Sequence, residues 1–240
     1  MSGKPVLILQ QSWHDTPDHF LDFLQREGLA HELRRMDRDE PVPARARDYA
    51  GICLLGGPMS ANDGSRLPWI NQQIALARDA FDAAVPVIGH CLGGQLMAKA
   101  LGGTVQASPQ PEIGWSRVAV RPSAESARWF GHLEELPLFQ WHGESFSIPA
   151  GAQWLAETEA CPHQAYSYDS IHFGMQFHCE VKAEKVRIWV EQHHDEIDAC
   201  AGVPSVQHGE QILAALAARL QASQQVADRI YTTWLQALRR

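Results

Sequence analysis

The stretch Val85-Pro86-Val87-Ile88-Gly89-His90-Cys91-Leu92-Gly93-Gly94-Gln95-Leu96 decides the fold. A short apolar run ends in a glycine, and a helical spacing of Leu92, Leu96 and Ala100 follows. That is strand, tight turn and helix, with a cysteine at the apex. It is the G-x-nucleophile-x-G elbow with Cys in place of Ser. The flanking glycines read as the backbone freedom a sharp turn needs. At the apex the sulfur of Cys91 stands at a helix N-terminus, where N–H groups and the helix dipole favour a thiolate.

A nucleophilic cysteine needs a base, and the base needs an orienting group. Phe173-Gly174-Met175-Gln176-Phe177-His178-Cys179-Glu180 supplies both. It reads as an apolar strand ending in His-x-Glu, and strand alternation places His178 and Glu180 on one face. His178 takes the thiol proton in this reading, and Glu180 holds the imidazole in its tautomer.

Four segments in order resemble the class I, or triad, glutamine amidotransferase family. Leu54-Leu55-Gly56-Gly57-Pro58-Met59-Ser60 is similar to its oxyanion loop, and Gly89 to Gln95 to its nucleophile elbow. Trp141-His142-Gly143-Glu144 is similar to its W/S-H-G-D segment, and Gln176-Phe177-His178-Cys179-Glu180 to its Q-F-H-P-E segment. Two positions depart from the pattern: Cys179 stands in place of Pro, and Glu144 in place of Asp. The look is closest to the GMP-synthase-type amidotransferase domain, its stand-alone members included.

The resemblance implies a flavodoxin-like α/β fold and hydrolysis of a γ-glutamyl amide through a γ-glutamyl thioester. It implies an oxyanion hole of the Gly57 and Leu92 N–H groups. Gln95 would position substrate, with Gly56, His142, Gly143 and Glu144 lining its pocket. The substrate would be glutamine or another γ-glutamyl small molecule.

The rest of the chain fits an α/β domain. Pro5 to Leu9, His31 to Met36, Tyr49 to Leu55 and Val85 to Ile88 read as strands. Helices alternate with them: one begins at Thr16-Pro17, with Thr as cap and Pro at the first helical position, and another runs from Leu67 to Ala84. This alternation gives a mostly parallel sheet covered by helices on both faces, with ligands at the carboxyl ends of its strands. From Val105 to Tyr168 the runs are shorter and suggest a small antiparallel sheet that includes Arg117 to Val120, Leu138 to Trp141 and Trp154 to Ala156. Val186, Trp189, Val190 and His193 mark a further helix. The last thirty or so residues carry two helical stripes: Ile212, Leu213, Leu216 and Leu220, then Val226, Ile230, Trp234 and Leu238. The division expected is an amidotransferase domain over residues 1–195 and a helical extension over 196–240 packed on it.

Composition narrows the partners. The 240 residues include 45% hydrophobic side chains and carry a formal net charge of −8. That charge disfavours nucleic acid and anionic membranes as partners. Five cysteines with no CxxC pair suit a reducing cytoplasm rather than a disulfide framework, and neither a signal peptide nor a spanning segment is read. His193-His194 lacks metal-site spacing and reads as a solvated helix face, so no metal is expected. The lack of a Walker loop or a G-x-G-x-x-G argues against ATP or NAD, and no cofactor is expected. With no synthetase module in the sequence, either a separate synthetase subunit receives ammonia or the protein acts alone on a γ-glutamyl compound. A redox-sensing or non-catalytic module on the same fold is the alternative of a different class.

Overall fold

The computed structural model describes residues 3–238. Strands β1 (Val6–Gln10), β2 (His31–Arg35), β3 (Gly51–Leu54) and β4 (Val87–His90) pair in parallel in the order β2-β1-β3-β4. The remaining strands are β5 (Val105–Val120), β6 (Glu135–Phe146), β7 (Gln153–Glu157), β8 (Ala165–Tyr168) and β9 (His172–Met175). β9 runs parallel to β4, and β8, β7, β5 and β6 follow it in antiparallel register. The antiparallel strands, expected as a small sheet of their own, thus continue one nine-stranded sheet. β9 is the junction: one edge takes the parallel β4 and the other takes β8 in a hairpin.

Alternation along the short strands sorts side chains onto two faces. Val6, Ile8, Cys53 and Ile88 meet α1 (Asp18–Arg26), α4 (Ala124–Phe130) and the C-terminal half of α7 (Gly209–Leu238). Leu7, Leu9, Ile52, Leu54 and Val87 meet α2 (Pro68–Asp82) and α3 (Leu92–Ala100). A third cluster joins Trp115 and Phe139 to α5 (Ala183–Gln192), α6 (His194–Ala199) and the start of α7.

The C-terminal segment is one helix of 30 residues. Val226, Ile230 and Trp234 enter the core beside Phe20 and Trp129, while Leu213, expected in the first stripe, is 40% exposed. The helix is continuous, so its stripe drifts from one cluster to the other along its length. The start of α1 also differs from expectation. Pro17, not Thr16, is the N-cap, and the Thr16 hydroxyl donates to the Asp18 carboxylate instead of to a backbone N–H. No helix of the described residues is long and apolar enough to cross a membrane.

Candidate active site

Cys91 sits between β4 and α3 with φ 46° and ψ −109°, a conformation that costs an L-residue of order 1–3 kcal/mol. The strain is on the cysteine itself. Gly89, Gly93 and Gly94 have no positive φ, which corrects the reading of them as residues of turn freedom. Their role is close packing: a Cβ on Gly93 would lie 2.0 Å from the Leu54 carbonyl oxygen, and one on Gly94 2.5 Å from that of Met175. The first turn of α3 is thereby pressed onto β3 and β9, which lead into the Gly56-Gly57-Pro58 loop and the His-x-Glu segment.

His178 and Glu180 do not lie on a strand. β9 ends at Met175, and the following residues bend away, held by a bridge between His178 and Phe139. The pair still forms, with His178 Nδ1 2.8 Å from Glu180 Oε1 and both side chains buried. The other side of the imidazole faces Cys91. Burial opposes the imidazolium, but the Glu180 carboxylate and the Cys91 sulfur outweigh it and lift the His178 pKa from 6.5 to about 10. Burial likewise opposes the Glu180 carboxylate, and His178 and Lys185 together hold it well below its ordinary value.

Lys185, on α5, has no forerunner in the sequence reading. Its buried ammonium donates to the Thr16 carbonyl at 2.6 Å and lies 3.4 Å from Glu180 Oε1. From the same helix Trp189 meets the His178 ring edge to face, with centroids 4.9 Å apart. Its i, i+4 spacing from Lys185 is a helical-face signal, but only the fold shows that the face meets His178 and Glu180.

A cleft of about 300 Å³ opens above Cys91. Cys91, His178, Gly57, Gln95, His142, Gly143 and Glu144 line it. Gly56, Leu92 and Glu180 stand behind its wall. A Cβ on Gly56 would come within 2.7 Å of His178 Cε1, so glycine lets this loop lie against the imidazole. Leu92 opens α3, where its N–H has no partner within the helix. The Gln95 amide nitrogen donates to the Glu144 carbonyl at 3.1 Å and to Gln176 at 3.3 Å, so contact with a ligand falls to its oxygen. Gln176 also points its Nε2 at Cys91 Sγ, 3.4 Å away.

The loop 56–61 is tied on several sides. Ser60 donates to Glu144 Oε1 at 3.0 Å, and Lys99 to the Ala61 carbonyl at 2.8 Å. Behind it Gln11 and Gln73 exchange side-chain amide bonds of 2.9 and 2.8 Å, and Gln11 fills the space next to Gly57.

His193, expected on a solvated helix face, instead lines the cleft against Trp141 and His14, while His194 is exposed. The turn between α5 and α6 folds it inward. His142, Glu112 and Cys161 bring donor atoms within 4.8 Å of one another. These donors already serve the protein, since His142 contacts Glu112 and the Glu144 carbonyl, and Glu112 accepts from Thr158 and Gln164. Cys53, Cys161 and Cys179 are buried and Cys200 is half-buried; Cys53 Sγ is 3.8 Å from His90 Nδ1. Burial pushes the Cys53 thiol well up and that of Cys161 to about 12. Cys179 packs against Met175 and the Tyr231 hydroxyl, which is also 3.0 Å from His90 Nε2, so α7 touches both neighbours of the Cys–His pair.

The family model for glutamine amidotransferase class-I matches residues 21–188. The chain is 28% identical over 187 residues to the glutamine amidotransferase-like protein YfeJ of Salmonella typhimurium, covering 76% of this chain and 78% of that one. It is 36% identical over 160 residues to the GMP synthase of Vibrio vulnificus, covering 66% of this chain but 29% of that enzyme. The crystal structure of a glutamine amidotransferase from Methylobacillus flagellatus superposes with a TM-score of 0.94 at 44% identity, over 99% of this chain and 96% of that one. A glutamine amidotransferase from Thermotoga maritima, 22% identical, shares the fold with a TM-score of 0.87 over the full length of both chains. With a class-I model spanning the elbow, the Gly56-Gly57-Pro58 loop and the His-x-Glu segment, the chain belongs to the class I glutamine amidotransferase family.

Proposed function

We propose that this protein hydrolyses the γ-amide bond of a γ-glutamyl compound, glutamine included, through a Cys91–His178–Glu180 triad. The observation that carries the reading is His178, held by Glu180 at 2.8 Å on one side and facing Cys91 on the other. The Cys91 thiolate attacks the γ-carbonyl. The N–H groups of Gly57 and Leu92 hold the oxyanion, each donor of this kind lowering the barrier by roughly 3–4 kcal/mol. The imidazolium protonates the departing nitrogen, and a γ-glutamyl thioester remains on Cys91. His178 then draws a proton from water, which releases glutamate. Gln95, His142, Gly143 and Glu144 hold the glutamyl part. In this reading residues 1–195 are the amidotransferase domain and 196–240 its helical extension, of which α7 enters the core.

Stand-alone action in the cytoplasm is the reading we favour, because the oxyanion loop is tied within this chain through Ser60–Glu144 and Lys99–Ala61. The second reading is an ammonia-supplying subunit of a separate synthetase; the likeness to part of the GMP synthases favours it. Labelling with a glutamine-analogue diazo-ketone tests the chemistry common to both. Selective modification of Cys91, absent in Cys91→Ala, is expected. Unlabelled Cys91 together with no turnover of any γ-glutamyl amide overturns the triad and leaves a redox or non-catalytic module.

A further inference from the structure

We propose that the His178 end of the cleft is a subsite for a cationic amine, so that the favoured substrate is a γ-glutamyl amide whose leaving group carries a second ammonium or guanidinium. The inference rests on the hydrolase reading and names its substrate class.

The direction of the leaving group follows from the chemistry. The Cys91 Sγ–C bond forms as the C–N bond breaks, and the proton held by His178 passes to the departing nitrogen. Water then cleaves the thioester, giving glutamate and the free amine, with no change of oxidation state. The leaving group therefore departs on the side of His178.

On that side the cleft continues past Trp189 to His14, Asp15, His193 and Glu196. Its walls are aromatic: the Trp141 and Trp189 centroids are 5.8 Å apart, those of Trp141 and His193 5.9 Å, and those of His193 and His14 5.5 Å. Its charges are acidic. Glu196 Oε2 accepts the Trp141 indole N–H at 3.0 Å, which fixes a carboxylate at the rim. Asp15 is buried at the floor, held by the Ser12 hydroxyl at 2.6 Å. Among the described residues no lysine or arginine lines the cleft. The nearest buried cation, Lys185, is engaged with Glu180 and Thr16 behind Trp189. Aromatic faces and carboxylates, with no lysine or arginine beside them, attract a cation and repel a second carboxylate.

The test uses three synthetic γ-glutamyl amides with arms of equal length, ending in an ammonium, a methyl or a carboxylate. The expected order of kcat/KM is ammonium, then methyl, then carboxylate, with about tenfold or more between first and last. The preference shrinks in high salt. It shrinks about two- to fivefold in Glu196→Gln, which keeps the contact to Trp141 and removes only the charge. Equal rates, or preference for the carboxylate arm, overturn the subsite while the hydrolase reading stands. Turnover of glutamine with none of the three amides hydrolysed overturns the subsite and leaves γ-amide hydrolysis standing; no turnover of glutamine or of any amide overturns both.

Discussion

The Lys185 ammonium lies 3.4 Å from Glu180 Oε1, the same oxygen that pairs with His178 Nδ1 at 2.8 Å. Glu180 thus stands between two cations, and its other oxygen has no hydrogen-bond partner. The carboxylate is fixed by charge on one edge only. Its position, and through it that of the imidazole, depends on Lys185.

Lys185→Met should therefore act on both stability and turnover. Removing one member of a buried ion network leaves uncompensated charge and costs about 3–5 kcal/mol. Burial disfavours the Lys185 ammonium, but Glu180, Asp18 and Asp15 outweigh it and keep the group charged. As a positioning residue its loss should lower kcat about tenfold or more with KM little changed, by loosening the groups around the base. Thermal unfolding and steady-state kinetics on γ-glutamyl amides check this. A folded variant with wild-type kcat would show that Glu180 needs no such support.

The backbone at Cys91 gives a second expectation. With φ at 46°, Cys91→Gly should be more stable than Cys91→Ala by about 1–2 kcal/mol, because glycine adopts positive φ without penalty. Both variants should lose γ-glutamyl hydrolysis, whereas Cys53→Ala and Cys200→Ala keep it. Denaturant midpoints separate the pair. Equal midpoints would mean that the elbow stores no strain.

The contrast between these glycines and their neighbours bears on what the sequence could reveal. The elbow and the His-x-Glu segment were legible because they are local patterns of unusual residue types at fixed spacing. The physical reason for Gly93 was not, since it lies in the carbonyl of Leu54, nearly forty residues away in the chain. Nor was the single sheet legible, because strand pairing from β9 to β8 and onward leaves no mark in a periodicity. His178 and Glu180 were placed on one face for the wrong reason: bends beyond β9, not strand alternation, bring them together. Lys185 drew no reading at all, and His193 read as part of a solvated helix face. Only the packing of α5 against the cleft makes one a buried cation and the other a wall.

The pH dependence of stability has a sign that follows from three histidines and a carboxylate. His178 is raised from 6.5 to about 10, so its contribution is complete below about pH 6.5 and is lost as pH rises toward 10. His90 and His172 are lowered by burial to about 4 and about 3, so their contribution is present above about pH 6.5 and is lost as pH falls. Glu180, also lowered, adds to the loss on the acid side, below its ordinary 4.5. Stability should peak near pH 6.5. The alkaline decline, about 5 °C or more in Tm, should be largely absent in His178→Ala, while the acid decline remains. Scanning calorimetry of both proteins across this range decides it. An unchanged alkaline limb in the variant would assign that limb to other groups.

The last expectation separates solitary action from service to a synthetase. A subunit that feeds ammonia to a partner gains by being slow alone, with its oxyanion loop competent only in the complex. Such control is a shift between two loop states, driven by the partner's differential affinity. Here the loop is held by the chain's own groups: Ser60 on Glu144, Lys99 on Ala61, and the Gln11–Gln73 pair behind Gly57. Those ties stabilise one loop state without a partner, so the purified chain should turn over γ-glutamyl amides unaided. Ser60→Ala should lower kcat by about three- to tenfold, since it removes one hydrogen bond to a carboxylate at the cleft while leaving Cys91 and His178 untouched. Steady-state hydrolysis of glutamine and a set of γ-glutamyl amides by wild type and variant is the measurement. Substantial unaided turnover of an amide, above that of glutamine and sensitive to Ser60, supports the hydrolase. Negligible turnover of every substrate, restored by an added synthetase protein, makes the chain a subunit whose loop is set elsewhere.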